Sequence, residues 1–267
     1  GTTSGVTTAG FSQKALFDSS GRLLINGTTA TSTRKLEVFS SDVTFYDVRV
    51  GRGAGAHVYS TLVGGAGLHN NTTGTNNTSI GYASMHANTT GSYGSALGVS
   101  ALNANTTGSN NTAVGYESLK QNTTATENTG VGSKALQSTT TGVYNTAVGA
   151  SALLANTTGQ TNTAIGRAAM YGNTTAANNT AVGYNALLVN TTGANNVAVG
   201  ALALDANTAH NNTAVGYDAL GANTTGTQNV AVGSTALDSN TTGSYTTAVV
   251  GNALNTNTDG VNNAAVG

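Results

Sequence analysis

Apolar and polar residues recur along this chain with a period of 17, and the period shows as columns of like residues. The glycine closing each Ala-Val-Gly-like triplet is taken as position 0. It falls at Gly64, Gly81, Gly98, Gly115, Gly132, Gly149, Gly166, Gly183 and Gly200, each 17 residues after the last. The step to Gly216 is 16, because an Asn-Thr-Thr-Gly turn is shortened around Ala209; Gly233 restores 17, and the next coil puts Val250 where glycine is due. Position 4 is apolar without exception, from Leu68 and Met85 through Leu136, Leu153 and Met170 to Leu237 and Leu254. Position 16 is Val, Ile or Leu from Val63 to Val266, position 15 is mostly Ala and position 14 mostly Thr. Position 7 is Asn in every coil but one, where Thr139 stands.

A helical-hairpin repeat needs upwards of about 30 residues, so 17 points to two short strands and two turns. Thr-Ala-Val-Gly alternates as a strand does, Thr and Val on one side, Ala and Gly on the other. Asn-Thr-Thr-Gly is turn chemistry, since Gly permits positive φ and Asn bonds to nearby backbone. Coils laid one on another pair their strands in parallel at about 4.8 Å, so identical residues stack into ladders and about a dozen coils span roughly 58 Å. The expected fold is an all-β parallel β-solenoid, a β-roll of 17-residue coils.

One Leu and one Val per coil make a thin core. Small residues along one face permit another backbone to approach closely, so the pattern predicts the Val and Leu columns inside each roll and the Ala/Gly column against a second copy. The pattern does not by itself fix which column faces which side. A homotrimeric fibre is the expected assembly.

Residues 1–50 lack the repeat and carry nine of the 19 charged residues. Ala15 to Gly27 is predicted as a hairpin, two apolar runs around Ser19-Ser20-Gly21. Lys35 to Phe39 and Val43 to Tyr46 alternate as strands. The expected division is an irregular β connector over 1–50 and the solenoid over 51–267, joined through Val48-Arg49-Val50-Gly51-Arg52-Gly53.

Composition narrows the possibilities. Charged residues are 7% of the chain and net charge is −1, so no field attracts nucleic acid or an anionic membrane. No apolar run approaches the roughly 20 residues of a membrane helix. A hydrophobic fraction of 38% separates the chain from the disordered class. The absence of Cys removes the disulfide-rich secreted class.

Catalysis requires convergent titratable groups. Glu117, Glu127, Asp205, Asp218, Asp238 and Asp259 are scattered over the coils and form no single column, which reads as solvated surface. No Asp recurs in every repeat, as calcium-binding rolls require. The expectation is no enzyme, no catalytic or cofactor-binding residue and no cofactor. His69 and His86 share position 5 of successive coils and are the candidate metal ligands, set against two exposed polar residues on a variable column. Asn71-Thr72-Thr73 and its repeats match the N-glycosylation sequon, but a turn ladder wants Asn for its own hydrogen bonds. Tyr82, Tyr116, Tyr184 and Tyr217 share position 1, and Tyr93, Tyr144 and Tyr245 position 12; such columns stack on sugar rings or shield the coil edges, and the second is preferred.

Asn111-Thr112-Ala113-Val114-Gly115-Tyr116-Glu117-Ser118-Leu119 and Asn179-Thr180-Ala181-Val182-Gly183-Tyr184-Asn185-Ala186-Leu187 resemble the head repeats of trimeric autotransporter adhesins in their core motif, although those repeats are usually shorter. Nearly the whole chain is similar to the repeat arrays of phage tail fibres, where stretches like Asp18-Ser19-Ser20-Gly21-Arg22-Leu23 also precede the array. That resemblance implies a virion location, with other fibre or virion proteins and a host-surface glycan or protein as partners. Such fibres often end in a self-cleaving peptidase-type chaperone that enforces trimerisation; none is visible here, so the chaperone is expected to have been removed or the chain to be a fragment. The expected function is a tail-fibre shaft, a rigid spacer presenting a host-binding tip. The alternatives are a trimeric adhesin head at a bacterial cell surface and an ice-binding solenoid. Against the last, most Thr residues sit beside Asn in turns and not as Thr-x-Thr pairs along a strand.

Overall fold

The structure, a computed structural model, describes residues 15–17, 23–25, 43–45, 48–52 and 59–267. The chain divides into two compact units, Gly1–Val43 and Thr44–Gly267. In the first, strands β1 (Ala15–Phe17) and β2 (Leu23–Ile25) pair antiparallel with Leu16 opposite Leu24, as the expected hairpin requires. The predicted strand over Lys35 to Phe39 lies outside the described residues.

The second unit is the solenoid. After β3 (Val43–Phe45) and β4 (Val48–Gly51), one three-residue strand per coil runs from β5 (Thr61–Val63) to β17 (Ala264–Val266). Strand β4 pairs antiparallel with β5, and each later coil strand lies parallel on the one before it. Register is preserved column by column: Thr146, Ala147 and Val148 face Thr163, Ala164 and Ile165.

Backbone ladders continue outside the strands. Met85 N–H donates forward to Ala101 C=O at 2.9 Å, whereas Ala83 N–H donates back to Gly65 C=O at 2.9 Å. Each coil is therefore bonded to both neighbours around most of its circumference. That alternation needs a left-handed backbone at positions 2, 4 and 12, and the whole Leu/Met column adopts it, with φ between +44° and +54°. Left-handed φ costs an L-residue roughly 1–2 kcal/mol. Complete burial of a Leu side chain contributes about 1.5–3 kcal/mol, enough to offset it.

The strand faces are opposite to the expected arrangement. Ala113, Ala147, Ala181 and the Leu/Met column they pack against from Leu68 to Leu237 are fully buried, while the Val column lies outside. Leu97 is 48% exposed, Val148 37% and Ile165 40%. The cause is width. Inside so narrow a coil, position 15 shares its space with Leu at position 4 and a second Ala at position 3, so only a methyl fits. The Ala column is thus spent on the coil's own core and is not free for a second chain.

Two Asn columns complete the interior, at positions 7 and 13, and nearly all their members are fully buried. They converge on one carbonyl per coil. Gly159 C=O accepts from Asn145 Nδ2 at 2.9 Å and from Asn156 Nδ2 at 3.0 Å. Each column is also tied along the axis: Asn145 N–H donates to Asn128 Oδ1 at 2.8 Å, and Asn105 Nδ2 to Asn88 Oδ1 at 2.7 Å. Every such bond satisfies a polar group whose burial alone would cost about 1–3 kcal/mol.

Glycine at position 0 is required by proximity as well as by φ. A Cβ on Gly115 would stand 2.6 Å from Gly132 O, and one on Gly200 2.2 Å from Gly216 O. The 16-residue coil keeps its strand in register, Val197 opposite Thr213, and loses its residue in the turn, where Asn207 Nδ2 reaches Ala209 C=O two residues on instead of three. Val250 keeps the ladder bond to Val232 C=O but holds φ at +112°.

Candidate functional surface

The structure arranges the chain's chemistry as surface columns. Outward along each strand lie position 14, mostly Thr, and position 16, Val, Ile or Leu; neither position carries a charged residue in any coil. Tyr residues border them in the chain at positions 12 and 1. All nine Tyr residues from Tyr59 to Tyr245 lie 43–79% exposed, so none serves the core. Arg167 sits over the Tyr184 ring at 5.5 Å.

His69 and His86 do meet, with ring centroids 5.1 Å apart and planes 20° from parallel. Each ring is engaged locally through Nδ1, His86 with Ala66 C=O and His69 with Asn70 Oδ1, both at 2.9 Å. Stacked rings do not converge their nitrogens on one point. Among the described residues no group of three His, Cys, Asp or Glu side chains is placed to hold a metal.

The acids are less scattered than the columns suggested. A side chain at position 5 reaches back over position 2 of the preceding coil: Asn103 Nδ2 donates to Ala83 C=O at 2.9 Å, and Gln137 Nε2 to Glu117 Oε2 at 2.6 Å. The same relation sets Asp238 against Asp218, and Asp218 also acts on Asp205, so three successive coils share a field of like charge. Partial burial, and then the neighbouring carboxylate, push Asp205 and Asp218 above the ordinary carboxylate range. Glu117 goes the other way, lowered by its bond to Lys120 Nζ at 2.6 Å. Glu127 and Asp259 are exposed. The spacing rule that would have exposed the Asp218–Asp238 pair is the 20-residue contact between columns 5 and 2, which period 17 alone hides.

The sequon asparagines are turned inward. Asn71 is buried, and its Nδ2, the atom a glycan would need, donates to Gly74 C=O at 2.9 Å. Position-8 threonines are committed as well; Thr106 Oγ1 donates to Thr123 C=O at 3.0 Å, and the pattern repeats along the array.

No family model matches the chain, and no curated protein and no solved structure is significantly similar to it.

Proposed function

We propose that the chain is part of the shaft of a phage tail fibre, a rigid spacer that carries a host-binding tip and is built as a homotrimer. One observation carries the reading: from Thr61 to Val266 every coil is hydrogen-bonded to its neighbours both at the strand and around the turns. A bend or stretch of the solenoid has to break several such bonds at once, so the coils transmit force instead of absorbing it. The outward strand face is correspondingly plain, with two uncharged columns bordered by exposed Tyr rings. Virion location, partner fibre proteins and a glycan or protein receptor belong to the same proposal through the resemblance of the coil motif to tail-fibre arrays.

The test is imaging. Negative-stain micrographs of the purified chain are expected to show a stiff rod whose repeat array spans roughly 58 Å, and antibodies raised against the array are expected to decorate phage tails. Decoration of bacterial cells instead of virions supports the adhesin alternative. A flexible or globular particle overturns the spacer reading.

A further inference from the structure

We infer that copies of this chain meet through the outward face of the parallel sheet, with Val114, Val131, Val148, Ile165, Val182 and Val199 at the centre of the contact. The inference rests on the shaft reading for the number of copies, and it replaces the Ala/Gly column, which the coil's own core has consumed. Three observations converge on it.

The first is size. Thirteen strands at about 4.8 Å, with two outward side chains across, make a strip of roughly 600 Å². With Thr forming most of one of its two columns, the strip is only partly apolar, its Val, Ile and Leu share standing at the lower end of the largest apolar patch on an ordinary monomer, about 300–600 Å². It falls short of the roughly 800 Å² that each partner contributes to a stable interface. The bordering Tyr residues, all exposed, supply the remainder.

The second is charge. In a parallel assembly about a common axis each residue confronts its own copy, so any charge in the centre meets the same charge. Positions 14 and 16 are free of Asp, Glu, Lys and Arg from Thr61 to Val266. The charged residues of the array stand elsewhere, Glu127 at position 12 and Arg167 at position 1 being at the border.

The third is periodicity. A partner covering the whole strip has to repeat its contacts at the rise of the coils, because a small mismatch per coil accumulates along the ladder. A second copy has that rise by construction. Aligned at the same height, it sets apolar side chains level with one another in every coil and keeps Thr beside Thr.

The experiment uses the full chain. Sedimentation equilibrium is expected to give a trimer for the wild type. The double substitution Val148→Lys and Val182→Lys is expected to weaken association by about 100-fold or more, with the far-UV circular dichroism unchanged because both side chains point outward. Lysines at Thr141 and Thr175, exposed at position 9, are expected to leave the trimer intact. A second arm does not depend on the lysine variants folding. The chain has no Cys, so Val148→Cys under mild oxidation joins chains only where residue 148 meets its own copy; a cross-linked dimer on a non-reducing gel is expected, and none for Thr141→Cys. A trimer that tolerates both lysine pairs and does not cross-link at 148 overturns the face and leaves the shaft reading standing. A monomeric wild type overturns both. Thermal hysteresis from that monomer, abolished by the 148 and 182 lysines, assigns the face to ice.

Discussion

Asn122 has its side-chain oxygen unpaired inside the solenoid because the residue one coil on is Thr139. Elsewhere the next Asn fills that role, as Asn122 Nδ2 itself does for Asn105 Oδ1 at 2.6 Å. Asn156 beyond it is left with a long 3.4 Å bond to Thr139 Oγ1. The other orphan, Asn190 Oδ1, faces the coil that lost a residue, where Asn207 Nδ2 turns to Ala209 C=O. Both unsatisfied atoms therefore mark breaks in one ladder. Thr139→Asn is expected to repair the first and to raise stability by about 0.5–1.5 kcal/mol, read as a higher thermal midpoint.

Leu62 and Gly67 compensate for each other. Leu62 stands in the Ala column at position 15, and a Cβ on Gly67 would lie 2.4 Å from its Cδ1. Gly67→Ala alone is expected to cost about 1–3 kcal/mol by overpacking, and Leu62→Ala alone about 2–5 kcal/mol by leaving a cavity. The double variant restores the Ala-Ala pair of coils such as Ala147 and Ala152, and is expected to be more stable than Leu62→Ala alone. Strictly additive values in a denaturation-based double-mutant cycle would refute the coupling.

Val250 occupies the glycine position at φ +112°, a conformation that a β-branched residue adopts only under strain. Such strain is worth about 1–3 kcal/mol, and glycine returns roughly 0.5–1 kcal/mol of it through its freer unfolded chain. Val250→Gly is expected to stabilise the last coils by the difference. Hydrogen exchange of the Val249 and Asn252 amides is the measurement that resolves it, with slower exchange expected in the variant.

Asp205 and Asp218 bind protons more readily folded than unfolded. Their contribution to stability is complete below the unfolded carboxylate value of about 3.9 and is lost as pH rises through their elevated folded values. Glu117, lowered by Lys120, contributes stability above its unfolded value that disappears as pH falls through its folded one. Asp218→Asn is therefore expected to raise the melting temperature at pH 7 and to make little difference at pH 3. Equal gains at both pH values would show that the charge on Asp218 is not the cause.

The period, the Leu/Met column and the breaks at Ala209 and Val250 were legible in the sequence because stacking forces each coil to offer its neighbours the same residues. The direction of the strand was not. Alternation separates Thr and Val from Ala and Gly but gives two equal choices, and the decision came from the space left beside Leu153 and its equivalents. The Asn column at position 7 was read as a turn residue and proved to be an interior one, since buried and exposed turn amides have the same spelling. Left-handed Leu was beyond reach, because nothing in a Leu column announces positive φ. The approach of Asp238 to Asp218 was missed because their columns meet only through a backward step of one coil.

The close approach at position 0, filled by glycine in every stacked coil but the one that holds Val250, makes the coils interchangeable as well as close. Coils of the common pattern offer the next the same carbonyl, the same pair of Asn amides and the same Leu, so one lying between two others of that pattern can be deleted or duplicated without leaving a residue short of its kind of partner. Reach then becomes a quantity that recombination can adjust in increments of about 4.8 Å, independently of whatever the two ends carry. The coil shortened at Ala209 sets the limit of finer editing: a single residue can go, but only from the turn, where the loss is confined to one amide.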